Sequence, residues 1–347
     1  RLKSFDYTIS QAPKVESQSI VLLDIGEQAL KDKGQWPWKR DEVAKIVNRL
    51  WVNGAGIITL NLLFAEEDRL GGDETFAKVI SDKLVLGTQV ASTKALDTKG
   101  KEASAAVVGG DPDDILNWIP EYQGMVSNID SINNNLAGVG VVSTMPEIDG
   151  VTRRIPMLTR VGKEMYPSLA LETLRVYAED DLYQAKIGES GVIAVRVPNY
   201  DTIYTDTYSR VWINWANEFT HYELTEELDY SVFADKIVIV GLTAEGLASS
   251  VATGVGTVGN HELQAHLLQS IIDGVTPVRP DFADFGELIT TFLIGFTIIV
   301  LFRFIPVMWM SVPVAVVVGG VIYGTEYAYT NYLYLIDASW LLATILI

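Results

Sequence analysis

Cysteine is absent from the 347 residues, and histidine occurs only three times. Without a thiol the chain has no disulfide, no cysteine nucleophile and no thiolate-bound zinc. The compartment stays open, because an exported bacterial domain can do without disulfides. Basic residues are scarce as well: 26 Lys+Arg stand against 44 Asp+Glu, a formal charge of −18. A surface of that sign repels phosphate backbones and argues against nucleic acid as a partner. Arg1 stands where an initiating Met would, which leads us to expect a further N-terminal piece, a cleaved signal or a membrane anchor.

What the chain does have is apolar. Hydrophobic residues make up 48% of it and its mean hydropathy is +0.21, which fits poorly with strong acidity until each is located. Residues 284–347 carry one basic residue, Arg303, and four acids, Asp284, Glu287, Glu326 and Asp337. The remaining 25 basic and 40 acidic residues give residues 1–283 a net charge of −15. That acidic part is rich in Val, Ile, Leu and aromatics, so it can bury a core and is not disordered.

Two uncharged runs, Leu288–Phe302 and residues 307–324, lie in the tail, and a third run begins near Tyr332 and is still apolar at Ile347. A bilayer core needs roughly 20 apolar residues per helix. The expectation is membrane helices at about 284–304, 306–325 and 332–347, the third continuing past Ile347. Pro313 and Gly319-Gly320 suggest a kink or close packing in the second. Arg303 lies in the shortest loop, which the positive-inside rule assigns to the cytoplasm. Residues 1–283 are then expected on the periplasmic or extracellular side of a bacterial inner membrane.

In the acidic part, Ser19–Ile25 predicts a buried strand, and Gly56–Phe64, Leu84–Val90 and Lys236–Gly241 predict others. Val43, Ile46, Val47, Leu50 and Trp51 share one helical face after Asp41, read as the cap, and Asn53-Gly54 ends that helix. Helices are also predicted at Glu74–Ile80, Ser168–Tyr177 and His261–Asp273. The alternation predicts an α/β fold: a mixed, largely parallel sheet with flanking helices, followed by a membrane helical hairpin and part of a third span. Residues 95–136 read as a polar excursion with one short helix near Ile115–Trp118. Val139–Ser143 and Arg154–Val161 read as a hairpin reversing at Asp149-Gly150, and Val192–Val197 and Val211–Trp215 as strands around a polar tip.

Several apparent signatures fail. Gly254, Gly256 and Gly259 spell a dinucleotide fingerprint, but the preceding strand ends at Gly241, too early to support it. His261 and His266 are five apart rather than four, so their rings diverge by about 140° on a helix. His221 falls in a hairpin-like, exposed region. Asp111, Asp113 and Asp114 lack the Gly and Glu of a calcium loop and read as a solvated turn. There is no nucleophile elbow. No catalytic residue, metal or cofactor is therefore expected. One pattern survives: Asp24, Asn61, Gln89 and Thr243 stand at or near C-terminal ends of predicted strands, where open parallel sheets hold their ligands.

By now an ordered set of motifs has accumulated. Val21–Asp24, Trp36-Pro37-Trp38-Lys39-Arg40, Ile57–Phe64, Pro146–Arg154, Tyr166–Leu171, Ile213-Asn214-Trp215, Ile237–Leu247, His261–Asp273 and Arg279-Pro280 together resemble the CHASE2 extracytoplasmic sensor domain. The resemblance spans nearly all of residues 18–280. It implies structural roles for Trp36, Pro37, Trp38, Asp149, Gly150, Arg153, Arg154, Gly241 and Gly246. The family usually carries Asp where this chain has Asn61, and another Asp where Ser249 or Ser250 stands. The resemblance also implies three membrane helices followed by a cytoplasmic output, often an adenylate cyclase or a kinase. The expected partners are the lipid bilayer, a small ligand or envelope protein, and a second copy in a homodimer. The rival expectation is a membrane-anchored envelope scaffold that uses the fold only to bind protein. An extracytoplasmic hydrolase is disfavoured by the missing nucleophile.

Overall fold

The structure, a computed structural model, describes residues 1–96, 100–102, 104–301 and 303–346. Parts of the expected excursion (97–99 and 103) and of the expected spans (Phe302 and Ile347) therefore lie outside the described residues. The chain divides into two compact units: one of residues 15–213 and 217–274, the other of 1–14, 214–216 and 275–347.

After helix α1 (Leu2–Ser10) of the second unit, the chain builds the first around one seven-stranded sheet. In chain order this unit runs β1 (Ile20–Ile25), α2 (Glu27–Lys33), α3 (Arg40–Val52), β2 (Ile57–Leu60), α4 (Asp73–Ile80) and β3 (Val85–Ser92). Then follow β4 (Gly124–Val126), α5 (Asp130–Asn133), β5 (Gly138–Val141), α6 (Leu169–Tyr177), β6 (His221–Glu223), β7 (Ile237–Leu242) and α7 (Asn260–Ile272). The lateral order is β6-β1-β7-β2-β3, with β4 and β5 both paired to β3. All pairings are parallel except β3–β4. The mixed, largely parallel α/β sheet with flanking helices is thus observed.

Both sheet faces are covered, which explains why β1 and β7 read as continuous apolar runs. Val21, Leu23, Ile25, Ile58, Val238 and Val240 point to one side, where they form a core with Val43, Val47, Leu50 and Phe76 of α3 and α4. Leu22, Thr59 and Ile239 point to the other, which α6 and α7 cover. There Thr59 Oγ1 lies 3.5 Å from Thr173 Oγ1 of α6. Gly140 lets α6 approach closely, since a Cβ on it would lie 2.3 Å from the Cα of Leu169.

The structure corrects several local expectations. Asp41 does not cap α3: Lys39 is the N-cap residue, and Asp68 Oδ2 accepts from the Arg40 N–H at 2.8 Å. The Asp149-Gly150 turn forms, with Gly150 at φ 78°, but its flanks do not pair with each other. Gly138–Val141 joins the main sheet, whereas Arg154–Pro156 pairs with Arg210–Trp212. The actual hairpin joins Leu158–Val161 to Glu164–Pro167. Gly191–Arg196 likewise pairs with Tyr183–Gly188 and Thr202–Tyr204, not with the strand at 210–212. Within 95–136, Ala105–Val108 pairs in parallel with residues 183–186, and Pro112–Asn117 forms a 3-10 turn capped by Asp111.

The second unit adds α8 (Ala283–Leu301), α9 (Ser311–Tyr332) and α10 (Ser339–Leu346). Among the described residues, α8 and α9 are the two helices long and apolar enough to cross a membrane. The second of these begins and ends later than the expected 306–325, because Pro306–Trp309 forms a short turn first. Arg279 ties this unit together: its guanidinium donates to Glu287 at 2.8 and 2.9 Å, to Asp284 at 2.6 Å and to the Leu335 carbonyl at 2.9 Å. It also stacks over Phe5 of α1 at 5.4 Å. A cavity of about 530 Å³ lies between α8, α9 and residues 336–338, with Gly286, Gly320 and Gly324 in its walls.

Candidate functional site

The C-terminal end of β1 places Asp24 on the α7 side of the sheet. Its register partner on β7 is Gly241 and its partner on β6 is Glu223, so the residues around it come from three parallel strands. His221 opens the edge strand β6, and His261 lies in the first turn of α7. Both rings converge on the one carboxylate: His221 Nδ1 is 2.8 Å from Asp24 Oδ2, and His261 Nε2 is 2.9 Å from Asp24 Oδ1. His261 is buried, Asp24 partly so, and His221 is exposed on the sheet edge.

Local sequence explains how the buried ring fits. A Cβ on Gly241 would lie 2.3 Å from His261 Cγ, and one on Gly259 would lie 2.7 Å from His261 Cε1. Two glycines therefore leave the space that the imidazole fills. Gly259, which looked like part of a nucleotide loop, instead ends an antiparallel ribbon (Ser250–Thr253 with Gly256–Gly259) and precedes α7.

Electrostatics favour the ionised carboxylate of Asp24. Burial alone would raise the Asp24 pKa, but hydrogen bonds from His221 and His261 overcome it and bring the carboxyl down to about 2. The hydrogen bond to Asp24 raises the pKa of His221. Glu262, beside the cluster, is lowered chiefly by its interaction with His266. His266 itself packs edge-on against Phe219 at 4.9 Å, so the two α7 histidines face different surroundings, as their spacing implies.

Of the four predicted ligand-pocket residues, Asp24 is in this cluster and Thr243 is adjacent. Thr243 donates its backbone N–H to the Ile25 carbonyl at 3.0 Å, and its hydroxyl would lie 3.3 Å from a Cβ on Gly26. Asn61 follows β2 and donates to Asn260 Oδ1 at 3.1 Å, while Asn260 donates to the Val142 carbonyl at 3.0 Å. Asp24 and Asn61 thus hold successive residues of the first turn of α7. Gln89 stands apart: it lies inside β3, and its buried amide exchanges two hydrogen bonds with the backbone of Lys101.

The motif residues occupy other places. Trp36 and Trp38 meet edge-on at 5.4 Å across the cis Trp36-Pro37 bond, and Trp38 Nε1 donates to the Gly34 carbonyl at 2.7 Å. Arg153 grips Asp149 with two bonds of 2.9 and 2.8 Å. Arg154 bonds Glu147 and Asp206 and lies over the Trp212 ring. Gly246 takes a positive φ of 78° in the loop after β7.

Sequence reasoning did not assemble His221, His261 and Asn260. Asp24 is 197 residues from His221 and 237 from His261, and no local spacing encodes that meeting. The one available signal was scarcity, since two of only three histidines are spent on a single carboxylate. Imidazole nitrogens and a carboxylate are competent metal ligands, and the ligand atoms of these three residues lie within 4.8 Å of one another.

Fold and sequence define an acidic α/β domain joined in the chain to apolar helices. The CHASE2 domain model matches residues 1–302, and the chain belongs to the CHASE2 domain family, a family of sensory domains. No curated protein and no solved structure matches it.

Proposed function

We propose that residues 1–283 form the extracytoplasmic sensor of a bacterial inner-membrane receptor, coupled through the membrane helices to a cytoplasmic output domain. Membership of a sensory family, together with two adjacent helices long and apolar enough to span a bilayer, carries this reading. The ligand or envelope partner favours one of two packings of α7, and the helix passes the change along the chain through Gly274 to the Pro277–Pro280 link. The receptor acts as a homodimer, and its output is an adenylate cyclase or a kinase.

The absence of cysteine makes a direct test available. Ile148 is fully exposed in the first unit and Phe304 lies beside Arg303. Single Ile148→Cys and Phe304→Cys variants are to be labelled in intact cells with a membrane-impermeant maleimide. Ile148→Cys should react at once, and Phe304→Cys only after permeabilisation; the reverse pattern overturns the orientation. The gene downstream of codon 347 tests the coupling: a catalytic domain supports a receptor, and a stop codon shortly after the third span favours a scaffold.

A further inference from the structure

Resting on that sensor reading, the geometry points to the ligand class: Asp24, His221 and His261 form a binding site for a divalent first-row transition cation. Three independent observations lead there. The residues come from three separate elements, β1, β6 and α7, yet both imidazoles direct a metal-ligating nitrogen to the Asp24 carboxylate, one to each of its oxygens, and the ligand atoms lie within 4.8 Å of one another. The site is built rather than incidental, because Gly241 and Gly259 both give up a side chain to seat the His261 ring. And two imidazoles with one carboxylate suit zinc, nickel, cobalt or copper, whereas magnesium and calcium prefer all-oxygen shells.

The dimensions agree. Ligand atoms about 2.1 Å from a metal lie about 3.0 Å apart in adjacent octahedral positions and about 3.4 Å apart in a tetrahedron. The Asp24–His221 and Asp24–His261 separations are 2.8 and 2.9 Å. Two nitrogens on one ion can be no more than about 4.2 Å apart. From a separation of 4.8 Å, a closing movement of about 0.6 Å sets the nitrogens trans on an octahedral ion and one of about 1.4 Å sets them in a tetrahedron. His221 can make it, since its side chain is 42% exposed on an edge strand. Water, or Glu262 beside the cluster, completes the shell. A net −15 domain also draws cations toward its surface.

Binding would clamp the edge strand β6 and the first turn of α7 onto β1. Because α7 is the last element before the chain enters the second unit, this is the segment on which a sensor's ligand should act.

The test uses the 347-residue chain in lipid nanodiscs, titrated calorimetrically with zinc chloride and, separately, with magnesium chloride. The unfolding temperature is recorded with and without zinc. The wild type should bind one zinc with micromolar or tighter affinity and gain thermal stability from it. His221→Ala, a change on an exposed edge, should weaken zinc about 100-fold and abolish the thermal gain. Asp24→Asn should do the same, and His266→Ala should leave zinc binding intact. Absence of zinc binding by the wild type, equal binding by His221→Ala, or magnesium binding as tight as zinc would each overturn the site. The outcome is separable from the sensor reading. Zinc binding with Ile148→Cys labelled only after permeabilisation would keep the site and sink the sensor. Outward labelling without zinc binding would do the opposite.

Discussion

At the scale of single residues, the acidic surface is organised by a few arginines rather than left to repel itself. Asp149 shows the consequence: the Arg153 guanidinium holds its carboxyl down to about 2, from an ordinary value of 3.8. A carboxyl whose pKa falls on folding contributes stability in full above its unfolded pKa. That contribution disappears as pH drops from about 4 toward 2. Asp149→Asn should therefore destabilise the chain at pH 6 and shrink the loss between pH 4 and 2, as read from unfolding temperature against pH. An unchanged acid-side slope would show that this pair plays no part. Arg153 is 3% exposed, and its two-point grip on Asp149 offsets part of the cost of burying that charge.

At the scale of elements, the tie between β2 and α7 depends on an amide at Asn61. Asn260 has its own NH₂ committed to the Val142 carbonyl, so its oxygen faces Asn61 and requires a donor there. Asn61→Asp would set acceptor against acceptor, at a cost of about 1–3 kcal/mol. Denaturant unfolding should find Asn61→Asp less stable than Asn61→Ala, and the opposite order would show that the amide is dispensable. The Asp expected at this position by family resemblance would thus need a different partner at 260. Elements were legible wherever their signal was local. β1, β7, α3, α6 and α7 announce themselves through continuous burial or a helical stripe, and they fall within a few residues of expectation. Pairing was not legible. The Asp149-Gly150 turn looks like a hairpin tip, but whether residues 154–156 pair with 139–141 or with 210–212 is decided by the surrounding core. Ala105–Val108 carries no local strand signal, because its partner lies some 80 residues on, at 183–186. The candidate site was half visible for the same reason: Asp24 shows at a strand end, while His221 and His261 acquire meaning only once β6 and α7 are placed.

At the scale of the whole molecule, the conflict between net acidity and positive hydropathy separates along the chain, and one residue carries much of the asymmetry of the apolar part. Arg303 is the only cation in residues 284–347. Removing it by Arg303→Gln should raise the fraction of molecules in which Phe304→Cys is labelled from outside. An unchanged fraction would assign the orientation to segments other than this loop. The sheet of the first unit has a further consequence, for the order in which the molecule can be made. Its central strand β7, residues 237–242, is inserted between β1 and β2, residues 20–25 and 57–60, which are synthesised some 180 residues or more ahead of it. Until residue 242 has emerged, the two early strands have a gap between them and no parallel neighbour to close it. A chain that grows from its N-terminus cannot complete this core early; it must hold most of the domain open until nearly all of it has been delivered. Late closure makes β1 and β2 the strands that wait longest for their partner.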